Sequence, residues 1–195
     1  TVERVGGLVR VSQPAEPTTG IGKTIDLYLS ETTSHVRIIH RLTNHGMWPV
    51  ECAPWALSVM AAGGTAVVPL PPRGEHPRDL LPGNHIVLWP YTNMADSRWT
   101  WGQKYILLRQ ADAPPQKAGA DVPDGWAAYA NAGSLFIKLF DRRAGAAYPD
   151  LGCNFETFTN RAMLEVETLG PLTRIEPGAS VEHVEDWCLF SAIPQ

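Results

Sequence analysis

The chain has 195 residues, of which 44% are hydrophobic and 18% charged, so it is long enough to bury a core and is not disordered by default. Its net charge is -4 and its lysines and arginines are scattered, which argues against nucleic acid as a partner. No apolar run approaches the ~18 residues of a transmembrane helix, so we expect no membrane association.

The cysteines and histidines give no sign of a metal centre. Cys52, Cys153 and Cys188 form no CxxC pair and are too far apart in sequence for a disulfide framework, so we expect buried, reduced thiols and a cytoplasmic setting. The histidines never occur as HxH or HExxH, and no phosphate-binding glycine loop is present. We therefore expect neither a metal nor a cofactor.

The composition favours an all-β fold. Seventeen glycines, seventeen prolines and seven tryptophans are typical of many short strands joined by turns. In chain order, the predicted strands cover residues 5–13, 23–29, 35–42, 50–60, 65–70, 85–91, 104–109, 126–130, 134–140, 172–175 and 181–190, together with a strand inside 152–171. Residues 23–42 are expected to form a hairpin, and Pro54 to interrupt its strand. Residues 69–82, 92–103 and 111–125 are predicted to be irregular.

The segment from Gly152 to Pro171 has the strongest functional pattern. Alternation with period two places Glu165 and Glu167 on one face of a predicted strand, and Leu164 and Val166 on the other. Two glutamates two residues apart on a strand lie about 7 Å apart, so each raises the pKa of the other and one can act as an acid or base. The alternative is an ordinary solvated strand face over a core.

Several tryptophans and polar residues are candidates for sugar recognition, because the apolar face of a pyranose packs on an indole while charged and amide groups bind its hydroxyls. The stacking candidates are Trp55, Trp89, Trp99, Trp101 and Trp126. Trp99 and Trp101 are the best placed, since they follow Arg98 with period-two spacing. Lys138 lies between two phenylalanines on a face that is otherwise typical of a core. Each tryptophan has the alternative of being a core residue.

Several segments of the chain are similar to those of a known superfamily. They are TNHGMWPVECAPWALSVMAAGG, WPYT, RWTWG, YPDLGCNFETFTNRAMLEVETLGPL and PGASVEHVEDWCLF. In these segments the chain resembles a bacterial branch of the galactose-mutarotase-like superfamily, which contains the aldose 1-epimerases. The resemblance implies a mostly antiparallel β-supersandwich over residues 1–195, of which this chain would be the central and C-terminal portion, lacking some N-terminal strands.

The resemblance also implies a catalytic base. Aldose 1-epimerases carry a glutamate that acts on the anomeric hydroxyl, in a Leu-Glu-x-Gln context. Residues 164–167, Leu-Glu-Val-Glu, are similar to that strand, with Glu165 in the place of the base and Glu167 in the place of the glutamine. An error in this match would make Glu167 the base instead.

The resemblance also implies an acid partner for the base. In those enzymes a histidine protonates the ring oxygen, and a second histidine lies in a loop where this chain has residues 53–55, Ala-Pro-Trp. Neither histidine has an evident equivalent. His40, Lys138 or Arg98 could supply the proton or a positive charge.

These observations combine into one functional hypothesis and two alternatives. We expect a carbohydrate-binding domain with aldose 1-epimerase activity, and a small sugar as its partner. The expected site residues are Glu165, Glu167 and His40 for catalysis, and Lys138, Arg98, Trp55, Trp89, Trp99, Trp101 and Asn154 for sugar binding. The alternatives are a sugar-binding module without catalysis and a purely structural role. An open sheet edge would also favour a homo-oligomer.

Overall fold

The computed structural model describes residues 1–193 as strands joined by turns, with one short helical turn. None of the helical structure in this range is long and apolar enough to cross a membrane. The elements are β1 (Val2–Val5), β2 (Leu8–Gln13), β3 (Ile21–Leu29), β4 (His35–Asn44), β5 (Val50–Cys52), β6 (Trp55–Met60), β7 (Thr65–Pro69), β8 (Ile86–Leu88), β9 (Trp99–Trp101), β10 (Tyr105–Arg109), β11 (Gln116–Ala120), β12 (Trp126–Asn131), β13 (Ser134–Phe140), α1 (Pro149–Gly152), β14 (Phe155–Thr159), β15 (Leu164–Leu169), β16 (Thr173–Ile175) and β17 (Ser180–Phe190).

Two antiparallel sheets carry most of the chain. The ten-stranded sheet has the order β1-β2-β3-β4-β17-β13-β12-β7-β10-β9, and the five-stranded sheet has the order β6-β15-β14-β11-β8. A small ladder joins β5 to β16. The core between the sheets is apolar and includes Ala66, Trp99, Leu108, Ala127, Phe155, Leu164 and Val166. The predicted all-β, mostly antiparallel sandwich is therefore confirmed.

Turn chemistry explains where the strand predictions are confirmed and where they are wrong. The predicted hairpin of β3 and β4 is present, and Pro54 separates β5 from β6, which belong to different sheets. Residues 5–13 do not form one strand, because the chain reverses at Gly6, whose φ of +58° favours glycine. The result is a hairpin of β1 and β2.

Two segments predicted to be irregular are strands. Residues 99–101 pair with β10 at the edge of the ten-stranded sheet, and residues 116–120 form β11, which is buried along its whole length. The small residues of β11 suggested a loop, but they are required by close packing. A Cβ added to Gly119 would lie 2.6 Å from Sγ of Cys153 and 3.3 Å from Cγ of Glu156.

A fully buried lysine joins the two sheets. Lys138 extends from β13 of the larger sheet, and its Nζ donates to the carbonyl oxygens of Ala56 (2.9 Å) and Val166 (3.2 Å) on β6 and β15 of the smaller sheet. The same Nζ lies 2.7 Å from Oε1 of Glu185, which is also fully buried. Because a buried ammonium is costly unless it is paired, this arrangement fixes how the two sheets lie together.

The carboxylate of Glu185 contacts three further side chains, and a fourth, His183, joins them through Thr168. Its Oε2 accepts from Nε1 of Trp187 at 3.0 Å and lies 3.2 Å from Nε2 of His40. The Thr168 hydroxyl donates to Oε1 and lies 2.8 Å from Nε2 of His183. Burial alone would raise the pKa of Glu185, but the hydrogen bond with His40 and the charge of Lys138 lower it to about 2.

Burial acts in the opposite direction on the neighbouring histidine and lysine. It lowers the pKa of His183 to about 4, because the imidazolium form would lose its hydration. Burial also lowers the pKa of Lys138, although the charge of Glu185 opposes that change. The native state therefore holds His183 neutral.

We predict a loss of stability in mild acid that depends on His183. An unfolded histidine binds a proton near pH 6.5, whereas His183 in the folded state does so near pH 4. The free energy of unfolding should therefore fall by about 3 kcal/mol as the pH drops through this window. Urea denaturation at pH 7, 5.5 and 4 measures this fall. His183→Gln should flatten it, while His76→Gln, at an exposed position, should not; equal pH dependence in all three proteins would contradict the assignment.

Candidate functional site

The outer face of the five-stranded sheet carries the acidic residues predicted to be functional. On β15, Leu164 and Val166 face the core, while Glu165 and Glu167 face away from it. This is the alternation expected from the sequence. Glu165 is half-buried, and Glu167 is fully buried although it lies on the outer face. Something must therefore cover Glu167.

Lys117 is the charged group that holds this face together. Glu156 on β14 is the register partner of Glu167 on β15, so two carboxylates lie directly opposite one another. Nζ of Lys117 on β11 lies 2.7 Å from Oε2 of Glu156, and 3.2 and 3.0 Å from the two carboxylate oxygens of Glu167. This single ammonium removes the repulsion between like charges. We call Lys117, Glu156 and Glu167 the charge cluster.

Two tryptophans flank the ammonium of the charge cluster. Nζ of Lys117 lies 5.0 Å from the ring centroid of Trp55 and 4.8 Å from that of Trp89, which are distances at which an aromatic ring attracts a cation. Nε1 of Trp55 donates to Oε2 of Glu167 at 2.8 Å. The Trp55 side of the cluster is open, because that residue is 52% exposed.

The carboxylates of this face have raised pKa values. Burial raises the pKa of Glu156 to about 7, and the neighbouring Asp150 carboxyl adds to the rise, while Lys117 opposes it. In residues 1–193, Oε1 of Glu156 is buried without a hydrogen-bond partner. Burial and the charge of Glu167 also raise the pKa of Glu165. At neutral pH Glu156 can therefore be present in both its protonated and its deprotonated form.

Before a substrate binds, the ammonium of Lys117 at the centre of the cluster is protonated. Burial alone would lower the pKa of Lys117, but the hydrogen bond with Glu156 and the charge of Glu167 raise it above its ordinary value. Glu165 pairs with no cation in residues 1–193. It is the more accessible carboxylate of the face, lying opposite Val59 and Phe158 in the register.

Other residues predicted to bind sugar have structural contacts away from this face. Arg98 is buried against Asp96 at 2.8 Å and also donates to the carbonyl of Pro114. Trp99 lies in the core and stacks on Trp101, with ring centroids 5.0 Å apart. The side chain of Asn154 is fully buried and exchanges two hydrogen bonds with the backbone of Val122. The structure does not bring these four side chains to the charge cluster.

Lys138 and His40 lie on the other side of the five-stranded sheet from Glu165. Both belong to the network around Glu185 between the sheets. Of the predicted site residues, the structure brings together Glu165, Glu167, Trp55 and Trp89. The sequence analysis missed Lys117 and Glu156. Lys117 lies in the segment mistaken for a loop, whereas Glu156 precedes Glu167 by one hairpin and could have been found by pairing the two strands.

Comparison with known proteins identifies the fold. No protein-family model and no curated protein sequence matches the chain. Among solved structures, a candidate aldose 1-epimerase of Klebsiella pneumoniae subsp. pneumoniae is 12% identical with a TM-score of 0.58, over 98% of this chain and 53% of that protein. A galactose mutarotase-like protein of Lactobacillus casei is 9% identical with a TM-score of 0.57, over 97% and 72%. A TPR-domain containing protein of Parabacteroides distasonis is 12% identical with a TM-score of 0.61, over 100% and 34%.

These likenesses show a galactose-mutarotase-like β-sandwich. They confirm the fold class that the resemblance implied, at identities where the fold alone is established. The chain spans about half the length of the Klebsiella protein and a third of the Parabacteroides protein. The more specific assignment to a bacterial branch stays a prediction.

We predict that Lys117→Met destabilises the protein strongly. The change leaves Glu156 and Glu167 buried, opposed and without a cation, and breaking a buried pair typically costs about 3–5 kcal/mol. Urea denaturation at pH 7.5 measures the loss. The matched control is the triple variant Lys117→Met, Glu156→Gln, Glu167→Gln, which should recover most of it. A single variant within about 1 kcal/mol of wild type would show that the charge cluster is not coupled.

Proposed function

We propose that this chain binds a free sugar on the outer face of the five-stranded sheet and interconverts its anomers. The observation that carries the proposal is the placement of Glu165 beside the charge cluster, whose Glu167 accepts a hydrogen bond from the half-exposed Trp55. A carboxylate base, a cation and an aromatic platform are the groups that anomer interconversion requires. The mutarotase-like fold supports this reading.

Trp55 is proposed to position the sugar. Its half-exposed ring presents a flat apolar surface on which a pyranose can pack, and its Nε1 is held by Glu167, so the indole is fixed in orientation. Tyr91, also exposed, lies close enough to the cluster that the charges of Lys117 and Glu167 affect its pKa. These two rings would flank the sugar above Glu165.

The proton transfers follow from the charges on this face. Glu165 takes the proton of the anomeric hydroxyl, the bond from C1 to the ring oxygen breaks, and the ring oxygen receives a proton from Lys117. Lys117 recovers a proton from Glu156, whose pKa near 7 lets it exist in both forms at neutral pH. Rotation about the C1–C2 bond and the reverse transfers then give the other anomer. This scheme replaces the histidine acid with Lys117, since His40 lies on the far side of the sheet.

A sugar-binding module without catalysis is the second candidate. It is favoured by the absence of a histidine among the residues that contact the charge cluster in residues 1–193. The two candidates differ in turnover and not in affinity. The same proposal includes a single domain over residues 1–195, a cytoplasmic location and the formation of a homo-oligomer.

We expect the chain to accelerate anomer interconversion of galactose, glucose or another free aldose, followed by polarimetry or NMR. Glu165→Gln should lower the rate at least a hundredfold, because the amide cannot accept the proton. Glu167→Gln should have a smaller effect on the rate if Glu165 is the base, and the larger effect if Glu167 is. Glu51→Gln, an exposed glutamate on β5, is the matched control. Sugar-dependent NMR shifts without acceleration would support the binding module, and silence in both experiments would contradict both candidates.

The proposed proton route also predicts the pH profile. Activity should rise with pH as Glu165 loses its proton, at a pKa above the ordinary glutamate value. It should fall as the pH passes about 7, because Glu156 then no longer resupplies Lys117. Glu156→Gln cannot titrate, so the falling limb near pH 7 should disappear together with most of the activity. A wild-type profile that is flat from pH 6 to 8 would contradict the role of Glu156.

A further inference from the structure

A second aromatic surface lies on the opposite side of the molecule from the charge cluster. On the outer face of the ten-stranded sheet, Trp126 pairs with Leu139 and Tyr105 pairs with Pro69, and the register of β12 with β7 places Trp126 beside Pro69. The rings of Trp126 and Tyr105 are 6.1 Å apart and inclined at 65°. Both sheets separate this surface from Glu165, so the two are independent.

The surface forms the floor of a groove of about 430 Å³. Leu70–Arg73, Gln103 and Lys104 also line the groove. The amide of Leu70 donates to the carbonyl of Lys104 at 2.8 Å, so the two segments continue side by side from β7 and β10. The volume falls in the range of about 300–1,000 Å³ typical of small-molecule sites. Tyr105 is 42% exposed, so the aromatic floor is open to a ligand.

This groove differs from the rest of the same sheet face. On the part of this face formed by β2, β3, β4 and β17, charged side chains are paired, namely Arg10 with Asp26, Arg41 with Glu182, and His35 with Asp186. In the groove the floor is aromatic, and the exposed cations Arg73 and Lys104 form no ion pair with another described residue. One acid, Asp124, lines the same groove. An excess of unpaired positive charge around an aromatic floor is complementary to a ligand that combines flat rings with negative charge.

We infer that this groove binds an acidic saccharide, with sugar rings packed on Trp126 and Tyr105 and the acidic group facing Lys104 and Arg73. The apolar face of a pyranose fits the aromatic floor, as at other sugar sites. The carboxylate of a hexuronate supplies the charge that the two cations lack. Asp124 accepts hydrogen bonds from ring hydroxyls. Binding here does not require catalysis at Glu165.

The test is an NMR titration of the ¹⁵N-labelled chain with digalacturonate and with neutral galactobiose, following the indole N–H of Trp126. We expect digalacturonate to shift the groove residues, with an affinity at least fivefold higher than that of galactobiose and weaker in high salt. Equal affinity for the two disaccharides would overturn the acidic class. No shift at millimolar concentration would overturn the site. Binding of a proline-rich decapeptide to the groove, without binding of either disaccharide, would overturn the saccharide as its ligand.

Variants separate the contributions of rings and charges. Trp126→Ala should remove measurable binding, and Trp126→Phe, which keeps an aromatic floor and guards against misfolding, should retain part of it. Lys104→Gln should weaken digalacturonate binding two- to fivefold and leave galactobiose unchanged. The control is Arg4→Gln, an exposed cation on β1 that forms no ion pair within residues 1–193; loss of digalacturonate binding in this control would overturn the assignment.

Discussion

The ion pair of Lys138 with Glu185 is the interaction on which the arrangement of the two sheets depends. A charge at the centre of an apolar sandwich is tolerated only where its hydrogen bonds are complete, and here the ammonium finds one carboxylate and two strand carbonyls. Apolar contacts allow sheets to slide, whereas these directional bonds specify one position. The carbonyls belong to Ala56 and Val166, which are neighbours of Trp55, Glu165 and Glu167 in sequence. The buried pair therefore also determines where the outer face lies.

The five-stranded sheet separates two polar systems that use the same strand. One face of β15 gives Thr168 to the network around Glu185, and the other face gives Glu167 to the charge cluster. Each system is satisfied by a lysine from a different strand, Lys138 from β13 and Lys117 from β11. The two lysines differ in their surroundings, because Lys138 has no access to solvent while Lys117 lies beneath an open tryptophan. This difference makes one network structural and the other a candidate for chemistry.

Period-two alternation was enough to predict the two faces of β15, because the strand is bordered by polar turns and has an unbroken pattern. It was also enough to mark Lys138 as unusual between Phe136 and Phe140. What could not be predicted was the partner of each charge, since register between strands distant in sequence depends on the whole sheet order. Small residues concealed β11, because Ala and Gly carry no hydrophobic pattern and are chosen there for close packing. Missing that strand hid Lys117, and with it the reason that Glu156 and Glu167 can share one face.

The alternation of β15 has a consequence for how the gene can vary. A substitution in this strand alters one contact on one face, but an insertion or deletion of a single residue would exchange the faces of every residue beyond it. Glu167 would then turn toward Phe155 and the core, and Thr168 would leave Glu185 for the outside. The charge cluster and the network around Glu185 would both be disrupted, because each depends on which residues of β15 face inward and which face outward. Among homologues of this chain, the number of residues in the segment 164–169 should therefore vary less than the residue types within it.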